Sequence, residues 1–264
     1  MQAERVWDVW RRILRSGAAD ALPGDDAEAR TILAYYREHG ERTQWFVENY
    51  RFRMGSSFEH ALETGAPLTH RLLRRRGLDV RELAGEFFAH DGWADYGPRV
   101  YTLCEAILGY LETHAATREI EGLPDLVRLE RGAVRLIRAH AASSPQTWLS
   151  AEAAQALAAA VATTPLRANG TGLVVRTEHA LSAWIRETAR IGTEPLAPDP
   201  DWFLISLPSQ TAAHRITKIG ARAAAFFERL ATPETLAQAR CRDADETSIG
   251  ARLARLGVVR PATA

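Results

Sequence analysis

The chain has 264 residues, 46% of them hydrophobic, and 33 basic residues balanced by 33 acidic ones. That length allows one large or two ordinary domains, and the composition is that of a folded chain. Zero net charge removes the long-range attraction that would draw a protein to nucleic acid or an anionic membrane, so neither is expected as a partner.

The apolar pattern of the first ~145 residues is helical throughout. Trp7, Trp10 and Leu14 form a stripe at i, i+3 and i+7, closed by Pro23-Gly24. Glu41 to Glu63 carries a long predicted helix, with Phe46, Tyr50, Met54, Phe58 and Leu62 spaced by four. Asp79-Val80-Arg81-Glu82 reads as a capping box ahead of Leu83, Ala84, Phe87 and Phe88. Tyr101, Cys104, Leu108 and Leu111 give another stripe, in which Cys104 reads as a buried structural thiol. Leu123-Pro124-Asp125 opens a helix through Leu126, Leu129, Ala133 and Ile137. Ala142-Ser143-Ser144-Pro145 breaks the pattern and divides the chain into a helical domain, 1–145, and an α+β domain, 146–264.

In the second part, Ser150 caps an alanine-rich helix from Ala151 to Ala162. A turn at Asn169-Gly170-Thr171-Gly172 leads into the strand Leu173–Arg176, and His179 to Arg190 is helical or extended. After a proline-rich loop, Trp202–Leu207 and Arg215–Ile219 form a hairpin, the second strand polar enough for a sheet edge. Helices follow at Ala221–Leu230, from the cap Thr232-Pro233, and from the cap Asp245 through Ile249, Leu253 and Leu256 to Gly257. The expected fold is α+β, mainly α, ending in a small winged-helix-like module with antiparallel strands.

Chemistry is sparse. The eight histidines form no H-E-x-x-H or Glu-x-x-His pair, and there is no nucleophile elbow or phosphate loop. Glu86 and His90 lie four apart on one predicted helix, which reads as an exposed pair rather than two metal ligands. No ligand cluster of workable linear spacing is visible, so the chain is expected to hold no iron or zinc and to carry no catalytic residue. Two distant cysteines make no redox motif, the N-terminus lacks an apolar h-region, and no apolar stretch is long enough to span a membrane. These features point to the cytoplasm. The densest basic run, Arg71 to Arg76, reads as a solvated helix end. Arg215 and Lys218 lie on the second hairpin strand, and Arg252 and Arg255 flank the stripe of the last helix. Were strand and helix adjacent, these four would edge a basic groove.

Three segments resemble a family of helical partner proteins (MbnC-like) that serve TIM-barrel, multinuclear-iron enzymes. They are Tyr50-Arg51-Phe52-Arg53 running into Phe58, Ala61-Leu62, Pro67 and Arg71-Leu72-Leu73; Phe87-Phe88 with Asp95-Tyr96-Gly97; and Leu123 to Glu130. With the C-terminal hairpin and helices, the resemblance covers most of the chain beyond about residue 45. Arg53-Met54 and Gly65-Ala66-Pro67 depart from the common pattern, and Thr64 to Thr69 is closer to the methanobactin type. The resemblance implies a non-catalytic subunit that docks on an iron enzyme and holds the leader of a cysteine-containing precursor peptide. The iron belongs to the partner enzyme, which in the methanobactin case converts cysteine to an oxazolone with an adjacent thioamide. Leader contacts are then expected at Arg215, Ile216, Thr217, Lys218, Arg252 and Arg255, and enzyme contacts at Arg51, Arg53, Asp95 and Tyr96. Two other classes compete: a winged-helix DNA-binding regulator, and an all-α enzyme using Glu86, His90 or Glu130.

Overall fold

The computed structural model describes residues 3–90, 94, 96–97, 99–141, 148–209, 213–231 and 240–262. The protein is mostly helical with a small antiparallel sheet, as its patterning predicts. Its contacts separate two compact units, Met1–Tyr110 and Leu111–Ala264.

The first unit contains α1 (Ala3–Ser16), α2 (Ala27–Glu38), α3 (Gly40–Gly65), α4 (Pro67–Arg75), α5 (Val80–His90) and most of α6 (Val100–Thr113). Helix α2 has no counterpart among the expected elements; Asp26 starts it by accepting a hydrogen bond from Ala29 N–H. One core gathers Val9 and Ile13 of α1, Ile32 and Leu33 of α2, and Val47 of α3. Farther along α3, Phe58 meets Phe87 and Phe88 of α5, with ring centroids 5.6 Å and 6.4 Å away. The four-residue spacing predicted along α3 is only half a buried face. Each step of four advances about 400° around the helix, so Phe46 and Phe58 end up about 120° apart. Phe58 is fully buried, Phe46 is 49% exposed, and Val47 takes the inward position. Asp79 caps α5 as expected, accepting from the Arg81 and Glu82 amides at 2.8 and 3.3 Å. Cys104 is fully buried.

The second unit contains the end of α6, then α7 (Ala115–Arg118), α8 (Leu123–His140), α9 (Ala151–Ala160), β1 (Leu166–Ala168), β2 (Gly172–Arg176) and α10 (Ser182–Arg186). It continues with β3 (Trp202–Ser206), β4 (Arg215–Ile219), α11 (Ala221–Ala231), α12 (Ala244–Arg255) and β5 (Val259–Pro261). The region of ambiguous period resolves into α10 and a short 3-10 turn, Thr188–Arg190. β2, β3 and β4 form an antiparallel sheet in that order, in register Leu204↔Thr217 and Val174↔Leu204, while β1 pairs with β5. The cap of α12 is Asp243, which accepts from Glu246 N–H, and not Asp245. The helix expected from Thr232-Pro233 lies outside the described residues, as does the boundary segment 142–147.

Contacts place the division at Tyr110–Leu111 rather than after residue 145, because α8 packs on β2 and β3. Its Gly132 makes the approach: a Cβ there would lie 3.0 Å from Leu173, and 3.2 Å from both Val175 and Ile205. The opposite sheet face, with Val174, Leu204 and Ile219, packs on Leu157 of α9, Phe226 and Phe227 of α11 and Leu253 of α12. β3 is therefore buried on both faces, whereas its sequence alone suggests one apolar row.

Candidate functional site

Strand β4 ends the three-stranded sheet, so one side of its backbone bonds β3 and no described strand pairs with the other. Ile216, Thr217 and Ile219 are half-buried; Arg215 and Lys218 are exposed. In an antiparallel pair, alternate residues exchange hydrogen bonds with the partner strand, so of Ile216 and Thr217 one amide points to β3 and the other outward.

Lys218 does not project as an isolated cation. Its Nζ lies 2.5 Å from Oδ1 of Asp201, a residue 3% exposed that also accepts from the Ser182 amide at 2.9 Å. Burial pushes the Asp201 carboxyl upward, but the hydrogen bonds from Lys218 and from Ser182 outweigh it and hold the group below its ordinary range. Much of the cationic character expected at Lys218 is thereby compensated.

Of the six predicted peptide-contact residues, four lie on β4 and two on α12, and Ile219 of β4 and Leu253 of α12 belong to one apolar cluster. Arg252 and Arg255 are exposed on α12, but α12 packs chiefly on α9, with smaller contacts to α11 and β5. The alanine-rich α9 has small side chains that let α12 lie close along it.

Of the four predicted enzyme-contact residues, Arg51 has a structural task. Its guanidinium donates to the Leu14 carbonyl through Nη2 at 2.5 Å and Nε at 3.1 Å, capping the end of α1. Arg53 is exposed. Tyr96 stacks on the buried Phe87 ring with centroids 5.7 Å apart, and Asp95 lies outside the described residues. Trp7, Trp10 and Phe46, read from patterning as parts of helical stripes, help form an open surface of this unit together with residues patterning did not single out. Trp7, Trp10, Tyr35, Tyr36, His39 and Phe46 line a cleft of about 550 Å³ between α1, α2 and α3. Tyr35 and Trp45 are 59% and 58% exposed, an unusual display for large aromatic side chains. A smaller cleft of about 380 Å³ carries Arg15, Arg51 and Arg81 beside Phe52 and Phe88.

Glu86 and His90 are both exposed on α5. They gather no third ligand, and the one group of three potential metal ligands among the described residues is Glu59, Glu63 and His70. No described helix is long and apolar enough to cross a membrane.

No protein-family model matches this chain, and no curated protein matches it.

Proposed function

We propose that the protein is a non-catalytic subunit that binds the leader of a ribosomally made, cysteine-containing precursor peptide and presents it to a multinuclear-iron, oxygen-using enzyme. The observation that carries this reading is the open edge of β4, in a unit where α8 and the C-terminal helices cover the faces of the sheet. An extended peptide can add there as a fourth strand, its main chain supplying affinity and the half-buried Ile216 and Thr217 setting register. This mode tolerates varied leader sequences, which suits a carrier better than a catalyst. The resemblance of segments 50–73, 87–97 and 123–130 supplies the partner: a TIM-barrel iron enzyme. Exposed aromatics on α2 and α3, with Arg53, provide contacts of the kind that anchor protein interfaces.

The test is coexpression with a TIM-barrel multinuclear-iron enzyme encoded beside this protein, followed by titration of a labelled leader at two ionic strengths. We expect a stable heterodimer. Proline at whichever of Ile216 and Thr217 has the outward amide should weaken leader binding at least ten-fold with the fold intact, while alanine at Thr217 has little effect. Weaker binding in Arg252→Glu/Arg255→Glu, with less salt dependence, would extend the bound segment onto α12. No heterodimer, or unchanged leader affinity in both proline variants, would sink the proposal.

A further inference from the structure

We infer that Glu59, Glu63 and His70 form a binding site for a divalent first-row transition cation such as zinc. Glu59 and Glu63 are four apart on α3 and share a face, and His70 lies on α4. One ligand atom from each lies within 4.8 Å of the other two, and His70 Nε2 is 3.8 Å from Glu59 Oε1.

The second observation is the state of the histidine. His70 is only 7% exposed, and its Nε2 is buried without a hydrogen-bond partner. At 3.8 Å, Glu59 is beyond hydrogen-bond range. A buried ring nitrogen without a partner is desolvated without compensation, which is unfavourable. A cation between the nitrogen and the two carboxylates removes that cost and balances their charge.

The geometry suits a small ion. Around a tetrahedral zinc with ligands at about 2.0–2.1 Å, donor atoms stand roughly 3.3–3.5 Å apart. The Glu59–His70 separation is close to that value. Glu63 is exposed, which leaves its side chain room for a small adjustment. One imidazole with two carboxylates favours zinc, iron or manganese over calcium and magnesium, which prefer all-oxygen shells. Three protein ligands leave at least one position for water. The site would pin α3 to α4 across the break at Gly65-Ala66-Pro67.

That break explains why linear spacing conceals the site. In an uninterrupted helix Glu59 and His70, eleven residues apart, would be separated by about 16 Å along the axis. Instead α3 ends at Gly65, Ala66 leaves helical geometry at φ −143°, and Pro67 opens α4 in a new direction. The turn returns His70 to the two carboxylates. The expectation of no zinc or iron in the chain came from motif spacing, which does not see this.

The inference is independent of the proposed function and is tested on the full chain alone. Chelator-treated protein is equilibrated with zinc, dialysed and analysed for metal, in parallel with Glu63→Gln and His70→Gln. We expect one zinc per wild-type chain, a zinc-dependent rise in Tm, and at least ten-fold weaker binding in both variants. Cobalt in place of zinc should give visible absorption of tetrahedral intensity in the wild type and lose it in the variants. Glu63 is exposed, so its glutamine variant keeps the fold, and circular dichroism checks both. No zinc binding by the wild type, or equal binding by the folded Glu63→Gln variant, overturns the site.

Discussion

Replacing Asp125 with alanine is expected to destabilise the fold by about 2–3 kcal/mol, a sizeable share of the stability of an ordinary domain. Asp125 is 2% exposed, and four donors converge on it. Oδ1 accepts from the Glu178 amide at 2.9 Å and from Arg128 Nη1 at 3.3 Å. Oδ2 accepts from the His179 amide at 3.1 Å and from the His179 ring Nδ1 at 2.8 Å. A carboxylate only accepts, so Nδ1 carries the proton in this arrangement. The acid also sits in the first turn of α8, where the helix dipole favours negative charge. Alanine leaves two backbone donors and the imidazole without their acceptor at a part-buried site. Asparagine keeps one acceptor oxygen but turns an N–H₂ group toward donors, so it should recover only part of the loss. Denaturant midpoints at constant m-value measure both. An alanine variant as stable as the wild type would show that the loop bearing Glu178 and His179 is held by something else.

Glu246→Gln should cost about 2–4 kcal/mol and alter the acid limb of the stability curve. Arg229 grips the carboxylate with two bonds, 2.9 Å to Oε1 and 2.8 Å to Oε2, and the Arg242 amide adds a third at 2.8 Å. The pair is well shielded, with side-chain exposures of 17% and 9%, so solvent screens it little. The Arg229 hydrogen bonds hold the Glu246 carboxyl below its ordinary value of 4.5, against a smaller upward push from burial. A carboxyl depressed in the folded state contributes stability that is fully present above its unfolded value. That contribution is lost as pH falls through the folded value. The wild type should therefore lose stability from about pH 4.5 downward, and Glu246→Gln should lose less over the same range. Thermal melts from pH 7 to pH 3 read this directly, and parallel curves for the two proteins would rule out Glu246 as the titrating group. Lysine at Arg229 should fail to substitute, since it cannot bond both oxygens at once.

Local signals in the sequence translated well where a segment's own chemistry decides its form. Asp79 capping α5, Ser150 capping α9 and the two hairpin strands follow from cap chemistry and β-branched runs. Helix α2 is hard to read from the sequence, because Ala27 to Glu38 mixes Tyr35 and Tyr36 with charges and only Ile32 and Leu33 are large buried anchors. The candidate site was legible only as an edge strand. That Lys218 is tied to Asp201, and that Arg252 and Arg255 stand on a helix seated on α9, are products of chain reversal. Arg51 shows the same limit: the sequence does not reveal that its guanidinium also caps a helix 37 residues earlier in the chain. Linear spacing hides Glu59, Glu63 and His70, because a one-residue break at Ala66 brings them together.

The close seating of α8 on the sheet, made possible by Gly132, sets how the molecule can be divided. Leu173, Val175 and Ile205 lie beneath that glycine, and Phe203 shares their face. A fragment beginning at residue 146 would present this row to water as a sticky, strand-bearing surface. It should pellet or elute as large aggregates on size exclusion, whereas one beginning near Leu111 keeps α8 and should stay dispersed. The helix behaves as a solubility shield for the sheet, and a monodisperse 146–264 fragment would deny it that role.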